Sequence, residues 1–394
     1  MPQLFRVDRV RGCLLGMAVG DALGAPLEGL SSQQIKSHYG RVWDYVDGVR
    51  AWKRKPHRWR LPGLYSDDTQ QALALCDVLL EAGRVDQERL ADLYLGLMTP
   101  KGSFVGAHRG IGRSFRKVLE ALEGGMPAGS CGQPGAGIGA AMRIAPVALF
   151  FRDATEPLFK AVMDSSLITH RDIRSLGGAL AVAHAVRRLV SGEPRDAALP
   201  LWIAADLTKH EARIEADYGQ RVTHRREHGR SMSRAIARAE AVLELPRDRA
   251  LRALVDEANN HGAEPECRRA TMGFPPACIP ACLYILLTTS SFEEALIETI
   301  NLGGDSDTTG AILGAMAGAH YGAQAIPERW LDGLRNRAGI DARAIALAQG
   351  STAGVVIPDL IATEHALTRE ENETFEQFAG VAVDDQNHGM NPVF

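Results

Sequence analysis

Arg11-Gly-Cys-Leu-Leu-Gly-Met-Ala-Val-Gly-Asp-Ala-Leu-Gly24 sets glycine at positions 12, 16, 20 and 24, with mostly apolar residues between. A four-residue interval keeps side chains on one face of an α-helix, so this stretch describes a helix with a bare stripe. A second set, Gly310, Gly314 and Gly318, repeats the interval near the other end of the chain. Glycine inside a helix costs about 1 kcal/mol relative to alanine, so two such stripes belong where another backbone packs very close.

The rest of the chain agrees with a helical reading. Alanine is abundant, aromatics make up only 6% of residues, and alternating strand patterns are nearly absent. Helical periodicity recurs over 7–19, 68–81, 112–122, 139–150, 175–189, 231–243, 277–287, 292–300 and 308–320. The expected fold class is therefore all-α, a compact orthogonal bundle of many short helices. Segments 50–62, 96–112 and 124–139 are rich in Gly, Pro and basic residues and read as loops. The mixed-charge stretch 206–230 reads as a solvated helix or surface excursion. No linker divides the chain, so 1–380 is expected to be one domain and 381–394 a loose tail.

Composition narrows the function. Of 394 residues, 44 are Lys or Arg and 48 Asp or Glu, a formal charge of −4, which leaves no basic footprint for a nucleic-acid partner. The apolar runs break early at Asp21, after Arg143 and at Thr288, so no membrane partner is expected, and the N-terminal stretch lacks the pattern of a secretory signal. A cytoplasmic location is the expectation. The six cysteines, mostly in apolar surroundings, read as free buried thiols. His261, Cys267, Cys278 and Cys282 lack the paired spacing of a zinc site.

Two acid-hydroxyl clusters stand at helix starts, Ser66-Asp67-Asp68-Thr69 after Pro62-Gly63 and Asp305-Ser306-Asp307-Thr308-Thr309 after Gly303-Gly304. Helix capping explains one hydroxyl and one carboxylate at each. A second carboxylate at each start exceeds that need, and four carboxylates brought together repel unless cations lie between them. With oxygen as the only ligand atom, Mg²⁺, Mn²⁺ or Ca²⁺ fits better than zinc or copper. Both readings, unrelated caps and a dinuclear centre, stand at this point. Three further segments admit a functional or a purely structural reading: Gly20-Asp21-Ala-Leu-Gly24 with Glu28, where a helix ends and two carboxylates follow; the glycine-rich run from Gly132 to Gly139 entering a helix, a phosphate cradle or a flexible loop; and Thr169-His170-Arg171-Asp172, a site histidine or a capping and core residue.

In this order the segments resemble the ADP-ribosylglycohydrolase family. The resemblant blocks are Arg11 to Gly24 with Glu28, Tyr65-Ser-Asp-Asp-Thr-Gln70, Gly139-Ala-Ala-Met-Arg-Ile-Ala-Pro146, Thr169-His170 and Asn301-Leu-Gly-Gly-Asp-Ser-Asp-Thr-Thr-Gly310, of which the last is the most specific. The resemblance implies two Mg²⁺ (or Mn²⁺) ions in a central cleft that accepts ADP-ribose. Ser66, Asp67, Asp68, Asp305, Asp307 and Thr308 match the metal ligands. Glu28 matches a glutamate over the metals and, with Asp68 and Asp305, is a candidate catalytic acid or base. Gly135, Gly137, Gly139 and Met142 match a loop that meets the diphosphate, and His170 matches a residue at the cleft edge.

The implied activity is hydrolysis of the glycosidic bond between ADP-ribose and a modified protein side chain. The alternatives are an N-ribosyl hydrolase for a free nucleoside or nucleotide and a non-catalytic ADP-ribose binder. Two departures bear on the substrate. Ile138 stands where relatives often carry asparagine, and no acid lies between Tyr94 and Gly112, where the arginine-specific bacterial branch has one. Lys101 and Arg109 in that interval read either as phosphate contacts or as solvated basic residues.

Overall fold

A computed structural model describes residues 3–53, 55, 58–98 and 106–386. Its centre is the pairing the glycines called for. The helix Gln3–Gly24 runs antiparallel to the helix Ser306–Tyr321. Gly12 meets Gly318, Gly16 meets Gly314, and Gly20 meets Gly310. A Cβ added to Gly20 would stand 2.0 Å from the Gly310 carbonyl oxygen, so no side chain fits at this seam. By length and composition the stretch Arg6–Leu27 could cross a membrane, but 94% of its apolar 18-residue window is buried inside the protein, the setting of a core helix.

Around this pair pack the helices Asp67–Ala82, Ile173–Val190, Pro275–Thr288, Phe292–Ile300 and Arg337–Gln349. One hydrophobic core runs from Val10 to Leu360, with a small satellite around Ala258, Cys267, Phe274 and Ala277. Among the described residues there is no β-strand, only three isolated bridges. All six cysteines are buried and free.

The structure departs from the sequence reading in several places. The expected helix 139–150 is two short ones, Gly139–Met142 and Ala145–Phe150. Pro146 lies in the first turn of the second, where its missing N–H costs nothing; in one continuous helix it would break a hydrogen bond. Asp21 lies within the first helix, which continues to Gly24, and not in a turn after it. The charged stretch begins inside the helix Ala198–Tyr218, which buries His210 and Glu211 beneath an exposed face. The helices Gln87–Gly96, Thr155–Leu167 and Arg247–Asn259 are additional to those expected from periodicity. The final helix, Leu360–Gln386, extends into the expected tail; residues 387–394 lie outside the described residues.

Candidate active site

The antiparallel seam ends where the chemistry begins. Gly24 lies so close to the Ser306 backbone that an added Cβ would stand 2.2 Å from its carbonyl oxygen, and Ser306 Oγ donates to the Gly24 carbonyl at 2.9 Å. The Asp305 start is therefore seated directly on the end of the first helix. Its approach is fixed by backbone bonds: Gly29 N to Gly304 O, Gly304 N to Leu30 O, and Asp305 N to Thr271 O, each 2.7 Å. Gly273, at φ +73°, leaves room for the Asp305 carboxylate, which an added Cβ would approach to 2.6 Å.

The Asp67 start is held mainly by side chains. Ser66 is the N-cap, accepting from Asp68 N. Asp21, fully buried, accepts from Ser66 N (2.9 Å), Thr69 N (3.0 Å) and Thr69 Oγ1 (2.6 Å). Gln71 donates to Asp67 Oδ2 at 2.6 Å and accepts from Arg143 at 2.7 Å. Arg143, 1% exposed, also donates to Gly139 O, Ser165 O and Thr169 Oγ1. One guanidinium thus ties the acid-bearing helix to the glycine loop.

The fold brings the two starts together. Thr308 lies beside both Asp68 and Asp305, and Asp307 lies near enough to Asp68 to repel it. Burial, with repulsion from neighbouring carboxylates that include Asp21 and Glu28, raises all four carboxyls: Asp67 to about 8, Asp305 to about 6, and Asp68 and Asp307 well above the ordinary range. Glu28 sits over the cluster, close enough to raise Asp67, Asp305 and Asp307, and pairs with Arg58 at 2.9 Å. Asp68 Oδ1 is buried without a hydrogen-bond partner. A buried carboxylate oxygen without a donor, in a set of oxygen ligands only, fits a hard divalent cation. Among the described residues, no three acidic, histidine or cysteine side chains form a ready-made cage.

Gln133 N donates to Thr169 O at 2.9 Å and Arg171 N to Gln133 O at 2.8 Å, strapping the glycine loop to the segment that carries His170. The His170 ring fills the space beneath Gly137 and Gly139, where an added Cβ would come within 3.0 Å and 2.9 Å of it. Burial lowers this imidazole to about 3, so it is neutral; its Nδ1 meets Thr169 Oγ1 at 2.8 Å. His170 thus supports the loop from below. Gly135 faces open space, and Met142 Sδ reaches Thr308 Oγ1 at 4.0 Å, joining loop and acids.

Both readings of Arg109, phosphate contact and solvated cation, are overturned. Its side chain is buried and ion-paired with Glu364, with Nε on Tyr65 O (2.9 Å) and Nη1 on Thr368 Oγ1 (3.0 Å). Glu364 also accepts from Tyr65 Oη (2.5 Å) and Gln70 (2.8 Å). Burial makes an exposed role for this cation impossible, and Lys101 lies outside the described residues. Ile138 is part of the core. The sequence reading missed Gln71, Arg143 and Glu364, and left the role of Asp21 open.

An all-α body with paired acids at two helix starts and a glycine loop beside them is that of a glycosyl hydrolase. Residues 1–355 match the family model for ADP-ribosylglycohydrolase, and the chain belongs to that family. It is 28% identical over 329 residues to the ADP-ribosyl-[dinitrogen reductase] glycohydrolase of Rhodospirillum rubrum, covering 83% of this chain and 90% of that one. It is 29% identical to ADP-ribosylhydrolase ARH3 of Bos taurus, over 82% and 88% of the two chains. A solved ADP-ribosylglycohydrolase-related protein complex superposes with a TM-score of 0.61 at 30% identity, covering 88% of this chain and 99% of the other.

Proposed function

We propose that this enzyme removes ADP-ribose from a modified protein side chain by hydrolysing the bond at the ribose anomeric carbon, with two Mg²⁺ (or Mn²⁺) ions as cofactors. The observation that carries the reading is the meeting of Asp67, Asp68, Asp305 and Asp307 at two helix starts, with one buried Asp68 oxygen left for a cation. Ser66, Asp67, Asp68, Asp305, Asp307 and Thr308 would hold the ions, which would orient ribose hydroxyls and lower the pKa of a bound water. The glycine loop supplies backbone N–H groups for the diphosphate, and Arg143 keeps that loop in register with Asp67. Glu28, above the cluster and partnered by Arg58, is placed to move a proton as the bond breaks through an oxocarbenium-like transition state. The names of the relatives, which act on ADP-ribosyl conjugates, support the substrate class.

The test is release of ADP-ribose from serine-linked and arginine-linked peptides, with Mg²⁺ and with chelator, beside a nucleoside and nucleotide panel. Metal-dependent release from a peptide is expected, and Asp305→Ala should abolish it. Turnover of free nucleosides alone would move the protein to the small-molecule reading. An Asp305→Ala variant as active as wild type would sink the metal assignment.

A further inference from the structure

A chamber of about 800 Å³ opens beside the acid cluster, and none of its described lining residues belongs to the glycine loop. It meets the cluster at Glu28 and at Gly110, where an added Cβ would stand 3.4 Å from Asp67 Oδ1 and 3.7 Å from an Arg60 nitrogen. Arg58, Arg60, Arg113 and Arg116 line it, against Glu28 and Glu371. Arg58 and Glu28 cancel as a pair, as do Arg109 and Glu364, while Arg116 donates to the Ile111 carbonyl and Glu371 accepts from Leu61 N at 3.3 Å. Among the described lining residues, Arg113 and Arg116 outnumber Glu371, so the balance is positive.

The outer wall belongs to the last helix. Thr368, Glu371, Asn372 and Phe375 line the chamber, with Phe375 packed edge-to-face on Trp59 at 5.3 Å and Thr368 bonded to Ala107 O at 3.2 Å. Buried Glu364 anchors this helix to Arg109, Tyr65 and Gln70. These residues lie beyond the family match, which ends at 355.

We propose that this chamber receives the leaving side of the substrate and selects an acceptor polypeptide whose modified residue is flanked by acidic side chains. The inference rests on the hydrolase reading, which places ADP-ribose over the acids and along the glycine loop and leaves this side for the acceptor. Carboxylates on either side of the modified residue would meet Arg113 and Arg116 at the rim, both exposed. A peptide flanked by lysine would meet like charge.

The test uses the full chain and pairs of ADP-ribosyl peptides, serine-linked and arginine-linked, that differ only in Glu-rich or Lys-rich flanks. At low salt, kcat/KM should favour the Glu-rich member at least tenfold. The ratio should fall toward one in 0.5 M NaCl and in an Arg113→Glu/Arg116→Glu variant, while hydrolysis of a flank-free ADP-ribosyl amino acid stays unchanged. Equal rates in wild type, or a preference that survives the double variant, would overturn the proposal. Should no conjugate be cleaved, the hydrolase reading fails, and calorimetry with the unmodified Glu-rich peptide still decides the chamber. Binding lost in the double variant supports it, and no binding to wild type overturns it.

Discussion

The two acid-bearing helix starts carry similar residues and are held in place by different physics. At Asp305 the backbone does the positioning: three 2.7 Å amide bonds from neighbouring loops, and contact between Gly24 and Ser306 too close for any side chain. At Asp67 the positioning falls to side chains, with Asp21 taking three donors and Gln71 bridging Arg143 to the carboxylate. The first arrangement is rigid and fails by steric clash. The second is adjustable and fails by losing hydrogen bonds, one at a time.

The largest effect should therefore come from the backbone-held end. Gly24→Ala puts a methyl group 2.2 Å from the Ser306 carbonyl and 2.5 Å from Asp307 N, so the Asp305 start must shift. We expect a loss of about 3 kcal/mol in urea unfolding, as for overpacked cores, and loss of nearly all hydrolase activity. A Gly24→Ala protein with wild-type stability and turnover would break the contrast.

Next comes Asp21→Ala, which strips an acceptor from two buried N–H groups and one hydroxyl. A destabilisation of about 2 kcal/mol or more is expected, since each buried donor left unpaired costs about 1 kcal/mol or more. Asp21→Asn keeps one acceptor oxygen and should lose about half as much. If the two variants are equally stable, the side-chain clamp on Ser66 and Thr69 is not what holds this end, and the comparison fails from the other side.

These partners also mark the limit of what could be read from the sequence. The acids of Asp305-Ser-Asp-Thr-Thr and Ser66-Asp-Asp-Thr were legible because a helix start is a local event, signalled by glycine, hydroxyl and carboxylate within a few residues. The glycine seam was legible because its period is that of the helix itself. Arg143 was not, because its partners Gln71 and Thr169 become neighbours only through tertiary packing. Arg109 was misread for the same reason: its counter-charge, Glu364, is on the last helix. Asp21 was read as lying in a turn because Gly20 and Gly24 look like a helix end, when they are part of the seam.

A pH series sharpens the contrast further. Asp67 is raised to about 8 and Asp305 to about 6 from an ordinary 3.8, so the folded protein without metal holds protons that the unfolded chain has already released. Their stabilisation is complete below about pH 4 and is lost as pH rises, first through 6 and then through 8. With chelator, Tm should fall across that window, and Mg²⁺ should raise Tm more at pH 8 than at pH 5. Asp67→Asn should flatten the upper part of the slope and Asp305→Asn the lower. Neutral His170 and His108, lowered to about 3 and about 4, work in the opposite sense and cost stability as pH falls below their ordinary 6.5. A chelated protein whose Tm is flat from pH 6 to 8 would show that the acids do not repel as their burial requires.

The smallest effect should come from Gln71→Ala, which removes the link between Arg143 and Asp67 and leaves the helix start itself intact. Arg143 keeps its bonds to Gly139, Ser165 and Thr169, and Asp21 keeps its three donors. The cost to folding should be about 1 kcal/mol, one net hydrogen bond. Catalysis should suffer slightly more, with kcat/KM down about tenfold, because Asp67 loses the donor that fixes its rotamer while a cation must still find it in place. The readout that separates positioning from mere packing is the metal titration. If Gln71 aims Asp67, the Mg²⁺ concentration for half-maximal activity rises, and saturating metal restores much of the rate. If activity falls at every metal concentration by the same factor, Gln71 acts through the glycine loop and not through the acid it touches.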